Sequence, residues 1–226
     1  MNDKEEILAR LRSISNPESL VGMARFGINT KTAYGVSIPS LRIVAKGIGK
    51  NHSLAQQLWS SRIHEARILA SMIDDPGKVS EEQMEEWARG FDSWDLCDQC
   101  CSNLLDKTEF AYRKAAEWSN RDDEFIRRAG FVLMASLAVH DKASNDKEFV
   151  KFLSIIEERS TDERNFVKKA TNWALRQIGK RSVQLNRVAI RTAKSIAQKD
   201  SKAARWVAAD ALRELTSEAV QRRLRS

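Results

Sequence analysis

The chain has 226 residues, a length that fits one ordinary domain or one continuous solenoid. Hydrophobic residues make up 42%, enough to bury a core, and no run of about 18 apolar residues occurs, which excludes an ordinary membrane-spanning helix. The net charge is +7 and unevenly placed: residues 176–226 hold 13 Lys and Arg against four acids, Asp200, Asp210, Glu214 and Glu218, whereas residues 1–175 come to −2. A near-neutral body with a basic last quarter suggests a polyanionic partner. A well-solvated terminal helix pair is the alternative.

The start, MNDKEEILARL, is acidic and lacks the apolar stretch of a signal peptide, so the expectation is a soluble, cytoplasmic protein. Ile7, Leu8, Leu11 and Ile14 recur at three and four, the helical period, and strand-like alternation is absent. Pro17 and Pro39 suit the first turn of a helix. Ser80-Glu-Glu-Gln83 has the pattern of a capping box. Thr108, Asn145, Thr161 and Ser201 also precede periodic segments. About a dozen helices of 8–19 residues result, joined by turns of two to six.

The helices of the second half repeat. DEFIRRAGFVLMA at 123–135 echoes ERNFVKKATNWAL at 163–175, with Phe125, Phe166 and Trp206 in equivalent places 41 and 40 residues apart. Each is followed by a β-branched aliphatic, Ile126, Val167 or Val207. A period near 40 in helix pairs is the spacing of HEAT-type repeats, whose pairs stack because one alone cannot bury its apolar stripe. The expected fold is all-α: a single domain over residues 1–226, a right-handed solenoid of HEAT-like repeats forming a concave surface.

Residues 91–101, FDSWDLCDQCC, hold all three cysteines. Structural zinc takes four ligands, and His52, His64 and His140 lie far apart in sequence, so no metal site is expected. A redox pair needs a strand–turn–helix context that is missing. On a helix over 93–106, Trp94, Cys97, Asp98 and Cys101 fall on one stripe, and the cysteines are most simply core packing. Asp98 is then the odd residue, a carboxylate on a largely apolar stripe beside an indole, which needs a partner. An interhelix cap or ion pair is the structural reading. Arg128, at the edge of the apolar run 129–137, is the natural cation for it. Asp95 points elsewhere. Trp173 matches Val132 in the repeat before and Arg213 in the repeat after, a position weakly constrained by packing, which favours a surface role.

Further on, Lys168 and Lys169 stand a turn before Trp173. Lys180 follows, and Arg187, Arg191 and Lys194 form a stripe that could track one nucleic-acid strand by its phosphates. No element looks like a major-groove reader, so little sequence specificity is expected.

Trp94-Asp95-Leu-Cys-Asp98, Phe125-Ile-Arg-Arg128-Ala and Lys169-Ala-Thr-Asn-Trp173-Ala-Leu-Arg176 together resemble the successive motifs of the AlkD-like DNA alkylation-repair glycosylases. Met23-Ala-Arg-Phe26 and Gly35-Val-Ser-Ile-Pro39-Ser-Leu-Arg42 are also similar, and the resemblance covers about residues 15–215. It implies a HEAT-like solenoid that holds duplex DNA in its concavity and removes purines alkylated at ring nitrogens. It implies that Asp98 is the catalytic carboxylate, that Trp94 and Trp173 press on the damaged nucleotide, and that Arg128 steadies the lesion strand and the carboxylate. Phe26 stands where the family often has tyrosine, so a possible polar contact is missing. The expected partner is double-stranded DNA with alkylated bases, met by a monomer with no cofactor and no membrane. A non-catalytic HEAT-like module binding nucleic acid or protein is the rival, and an adaptor for an acidic protein is a third reading that does not need Asp98.

Overall fold

A computed structural model describes residues 3–225, which form fourteen α-helices and no strand among the described residues. The chain divides into two compact units, residues 1–109 and 110–226.

The first unit holds α1 (Lys4–Ser13), α2 (Pro17–Arg25), α3 (Ile38–Ile48), α4 (His52–Ser60), α5 (His64–Ile73), α6 (Glu81–Arg89) and α7 (Trp94–Asn103). Local chemistry sets several starts. Pro17 and Pro39 stand in the first turns of α2 and α3 as expected, and Ser80 accepts from Gln83 N at the head of α6. The central helix is α5, which packs on α3, α4 and α7. It is buried on nearly every side, so it carries apolar residues all round apart from a polar first turn. The Trp59 and Trp87 rings stack beside it, centroids 4.2 Å apart.

The second unit holds α8 (Ala111–Trp118), α9 (Glu124–His140), α10 (Asp146–Arg159), α11 (Asn165–Gly179), α12 (Val183–Ile196), α13 (Lys202–Leu215) and α14 (Glu218–Arg225). Here the repeat is plain. One row runs α9, α11, α13 and a second runs α10, α12, with α8 packed on α9. Ile126, Val167 and Val207 are buried at equivalent places, and the Phe125 and Phe166 rings meet at 5.7 Å. Asp162 ties the α9 and α11 starts together, taking Arg127 at 2.8 Å and Arg164 at 2.6 Å.

Two starts differ from the sequence expectation. Thr108 caps no helix start; it closes a 3₁₀ turn, its hydroxyl donating to Leu105 O, and α8 begins three residues on behind Phe110. Thr161 yields to Asp162, whose carboxylate takes Arg164 N ahead of α11. The helix expected over 93–106 also ends early, at Asn103, because Lys107 turns back and donates to Ser102 O and Asn103 O.

Candidate functional site

Trp94 opens α7 and Asp98 follows one turn later, so the two share a face, both half-buried. The Trp94 indole N–H donates to Phe26 O at 3.0 Å, which brings together two residues 68 positions apart. Phe26 itself follows the last turn of α2 and is 70% exposed. Behind this pair Cys97, Cys100 and Cys101 are fully buried, the packing role read from the sequence. Burial pushes the Cys100 and Cys101 thiols well up, and at Cys101 the Asp98 carboxylate adds to the effect. Neutral, enclosed thiols of this kind are inert.

Asp95 has a different setting. His64 Nε2 lies 2.8 Å from one carboxylate oxygen and Ser93 Oγ donates to the other at 2.8 Å. Burial raises this carboxyl, but the bonds from His64, Ser93 and the Leu96 N–H outweigh it and hold the group below its usual 3.8. Asp95 thus anchors the start of α7 on which Trp94 and Asp98 stand.

Sequence reasoning missed the run His64-Glu65-Ala-Arg67 at the head of α5. All three polar side chains are buried. Glu65 accepts the backbone N–H groups of Tyr34, Gly35 and Val36, at 2.9, 2.7 and 3.2 Å. Arg67 donates to Gly90 O at 2.8 Å and to both oxygens of Asp92 at 2.9 Å, and Asn29 adds a bond to Asp92. A buried charge is tolerable only when paired in this way. The result fastens segment 29–36, which follows Phe26, and segment 90–95, which carries Trp94, to α5. Gly35 is required there: its φ is +75° and an added Cβ would stand 2.1 Å from Asn16 O. The one signal in the sequence was three charged or titratable residues opening an otherwise apolar helix.

In the second unit Arg128 lies in the first turns of α9, 6% exposed, and donates to Phe166 O at 2.6 Å. Trp173 is half-buried on α11, whereas its repeat equivalents Val132 and Arg213 are buried and exposed respectively. That gradation matches the weak packing constraint read from the sequence. The Lys168 ammonium sits 5.3 Å over the Trp206 ring, and Lys169 is exposed. Lys180 is occupied: its ammonium is 2.5 Å from Glu214, which also takes Arg176. Arg187, Arg191 and Lys194 form the expected exposed stripe, but on α12, in the row with α10. Arg128 and Trp173 belong to the other row, so the structure does not gather these cations with them.

Fourteen helices, paired in rows in the second unit, define a HEAT-like repeat protein. A model of the DNA alkylation repair enzyme family matches residues 7–215, and the chain belongs to that family. An uncharacterized protein of Listeria innocua is 22% identical over 85% of both chains, and another from Listeria monocytogenes is equally so. A solved structure matches with a TM-score of 0.79 at 21% identity, covering 95% of this chain and 96% of its own. It represents a new family of proteins related to the HEAT-like repeat DNA glycosylases with affinity for branched DNA structures. No helix among the described residues is long and apolar enough to cross a membrane.

Proposed function

We propose that the protein is a DNA glycosylase that removes purines alkylated at N3 or N7 from duplex DNA, acting as a cytoplasmic monomer. The observation that carries the reading is Asp98, a half-buried carboxylate one turn from Trp94 on a helix start that Asp95, His64 and Phe26 hold in place. Alkylation at these nitrogens leaves the purine cationic, so it departs with the electrons of the N-glycosidic bond without a strong general acid. Positive charge then grows at the anomeric carbon. Asp98 stabilises that charge and aligns the attacking water, whose proton it accepts. The products are the free base and an abasic site. The flat face of Trp94 attracts a cation by roughly 0.5–2 kcal/mol. Arg128, Trp173, Lys168 and Lys169 are the contacts that the second unit offers to DNA, with Arg187, Arg191 and Lys194 neutralising phosphates.

The structural neighbour's affinity for branched DNA favours a second reading, a DNA-binding module without catalysis. One experiment separates the two: release of methylated purine from methylated duplex, by native protein and by Asp98→Asn. The expected result is release by the native protein alone, with DNA affinity equal in both. Equal release removes Asp98 from the chemistry. Release by neither, with DNA still bound, selects the binding module.

A further inference from the structure

The first unit carries a ridge of positive charge that the whole-chain balance conceals. Residues 19–64 contain six Lys and Arg and not one Asp or Glu. Three of these, Arg42, Lys46 and Lys50, are spaced by four. With Lys107 they line a depression of about 410 Å³ at the C-terminal ends of α3, α5 and α7, bordered by Met72 and Asn103.

Two of the cations are fixed. Lys50 Nζ donates to Asp74 O at 2.5 Å and Met72 O at 3.4 Å, at the end of α5. Lys107 Nζ donates to Asn103 O at 2.5 Å and Ser102 O at 3.1 Å, at the end of α7. These are carbonyls that a helix end leaves without partners. On Lys50 two carbonyls occupy two of the three N–H donors, and one remains for a ligand. The lysines also oppose each other: burial lowers the Lys50 pKa and the Lys107 charge lowers it further, against a smaller upward pull from Asp74 and Asp75. Arg42 and Lys46 are exposed and pair with no acid among the described residues. Like charges four apart on a helix repel.

The neighbouring carboxylates offset this arrangement only in part. Asp74 is taken by His52 at 2.7 Å and Gln83 at 2.7 Å. Asp106 is buried, 3.7 Å from Lys107, and Asp75 caps its own turn. None of the three lines the depression. Four cations against the one ion-paired carboxylate of Asp106 leave an excess of positive charge, and an anion relieves it.

Its position selects the anion. Trp94 and Asn103 are the two ends of α7, about 14 Å apart at 1.5 Å rise per residue. A duplex groove has a comparable width, about 12 Å for the major groove. We propose that Arg42, Lys46, Lys50 and Lys107 bind backbone phosphates of the undamaged strand, across a groove from the strand met at Trp94 and Asp98. This rests on duplex DNA being the partner.

The test is binding of an unmodified duplex across a salt series. It compares native protein, Arg42→Ala/Lys46→Ala and a control of equal charge change, Lys147→Ala/Lys151→Ala on α10. Both ridge side chains are exposed, and circular dichroism checks that the fold is kept. The ridge variant is expected to bind at least about tenfold more weakly at 0.1 M salt, with a log–log salt slope shallower by about 1.8. The control keeps both values. Native-like affinity and slope in the ridge variant overturn the proposal. In a second duplex that carries one methylated purine, neutral methylphosphonate linkages assign the strand: placed opposite the lesion they weaken the native protein and leave the ridge variant unchanged, and the reverse overturns the strand assignment. Native protein that binds but excises nothing sinks the glycosylase reading and leaves the ridge standing. Native protein that binds no DNA sinks both.

Discussion

Asp95 and Asp98 stand three residues apart on α7 and serve different ends. Asp95 is consumed by His64 and Ser93 and holds the helix start; Asp98 shares its face with Trp94. The same division holds for Glu65, whose carboxylate carries three backbone N–H groups of segment 34–36. In Glu65→Gln one acceptor oxygen becomes an amide donor facing those N–H groups. We expect a loss of about 3 kcal/mol in denaturant unfolding, because bonds to a charged acceptor are the strong ones and the orphaned donors stay buried. Trp173 tests the other unit. With Trp173→Ala, affinity for methylated duplex should fall about fivefold further than affinity for intact duplex, the loss of roughly 1 kcal/mol of cation–π attraction. Equal losses on both duplexes would reduce Trp173 to general backbone contact. None of the His64, Glu65 and Arg67 pairings was legible in the sequence, because each partner lies 23 to 31 residues away and only the folded chain joins them.

At the level of elements, α9 shows what close packing demands. Gly130 faces the end of α8 so tightly that an added Cβ would stand 2.3 Å from Ser119 N. A glycine-to-alanine change inside a helix ordinarily stabilises it by about 1 kcal/mol. Here the sign reverses. Gly130→Ala should lower stability by about 2 kcal/mol, since the obstacle is backbone and the helices must part. A rise in melting temperature would mean that α8 yields freely. Helix existence was legible because apolar residues at three and four recur wherever a helix buries one face. Asn145 and Ser201 cap as expected, since a cap needs only residues two or three ahead. Thr108 and Thr161 failed as caps because the chain spends extra residues on a 3₁₀ turn and on the Asp162 network before the helix begins. That Trp94 and Asp98 share a helix face was readable from their spacing, whereas the Phe26 carbonyl that holds the indole was not.

Over the whole molecule, charge sets both the partner and the acid limit. The count that singled out residues 176–226 missed the ridge of α3, because the acids of α1, α6 and α7 cancel it in any sum over the first half. In the second unit two acids are held ionised by their bonds. Ser144, with its backbone N–H, Tyr112 and Ala143, brings Asp141 down from its usual 3.8 to about 2. At Asp162 burial works upward, but Arg164 and Arg127 prevail and the value also falls to about 2. A carboxyl held lower in the folded state than in the unfolded chain adds stability that is fully present above 3.8 and vanishes as pH falls through about 2. Both groups are partly solvated, which reduces each contribution to about 1 kcal/mol. Melting temperature should therefore hold steady down to about pH 4 and fall steeply below it. Asp162→Asn should begin lower at neutral pH and lose less on acidification, so that the two curves close toward pH 2. Parallel curves would show that Arg127 and Arg164 do not favour the ionised carboxylate, and that the tie between the α9 and α11 starts is packing rather than charge.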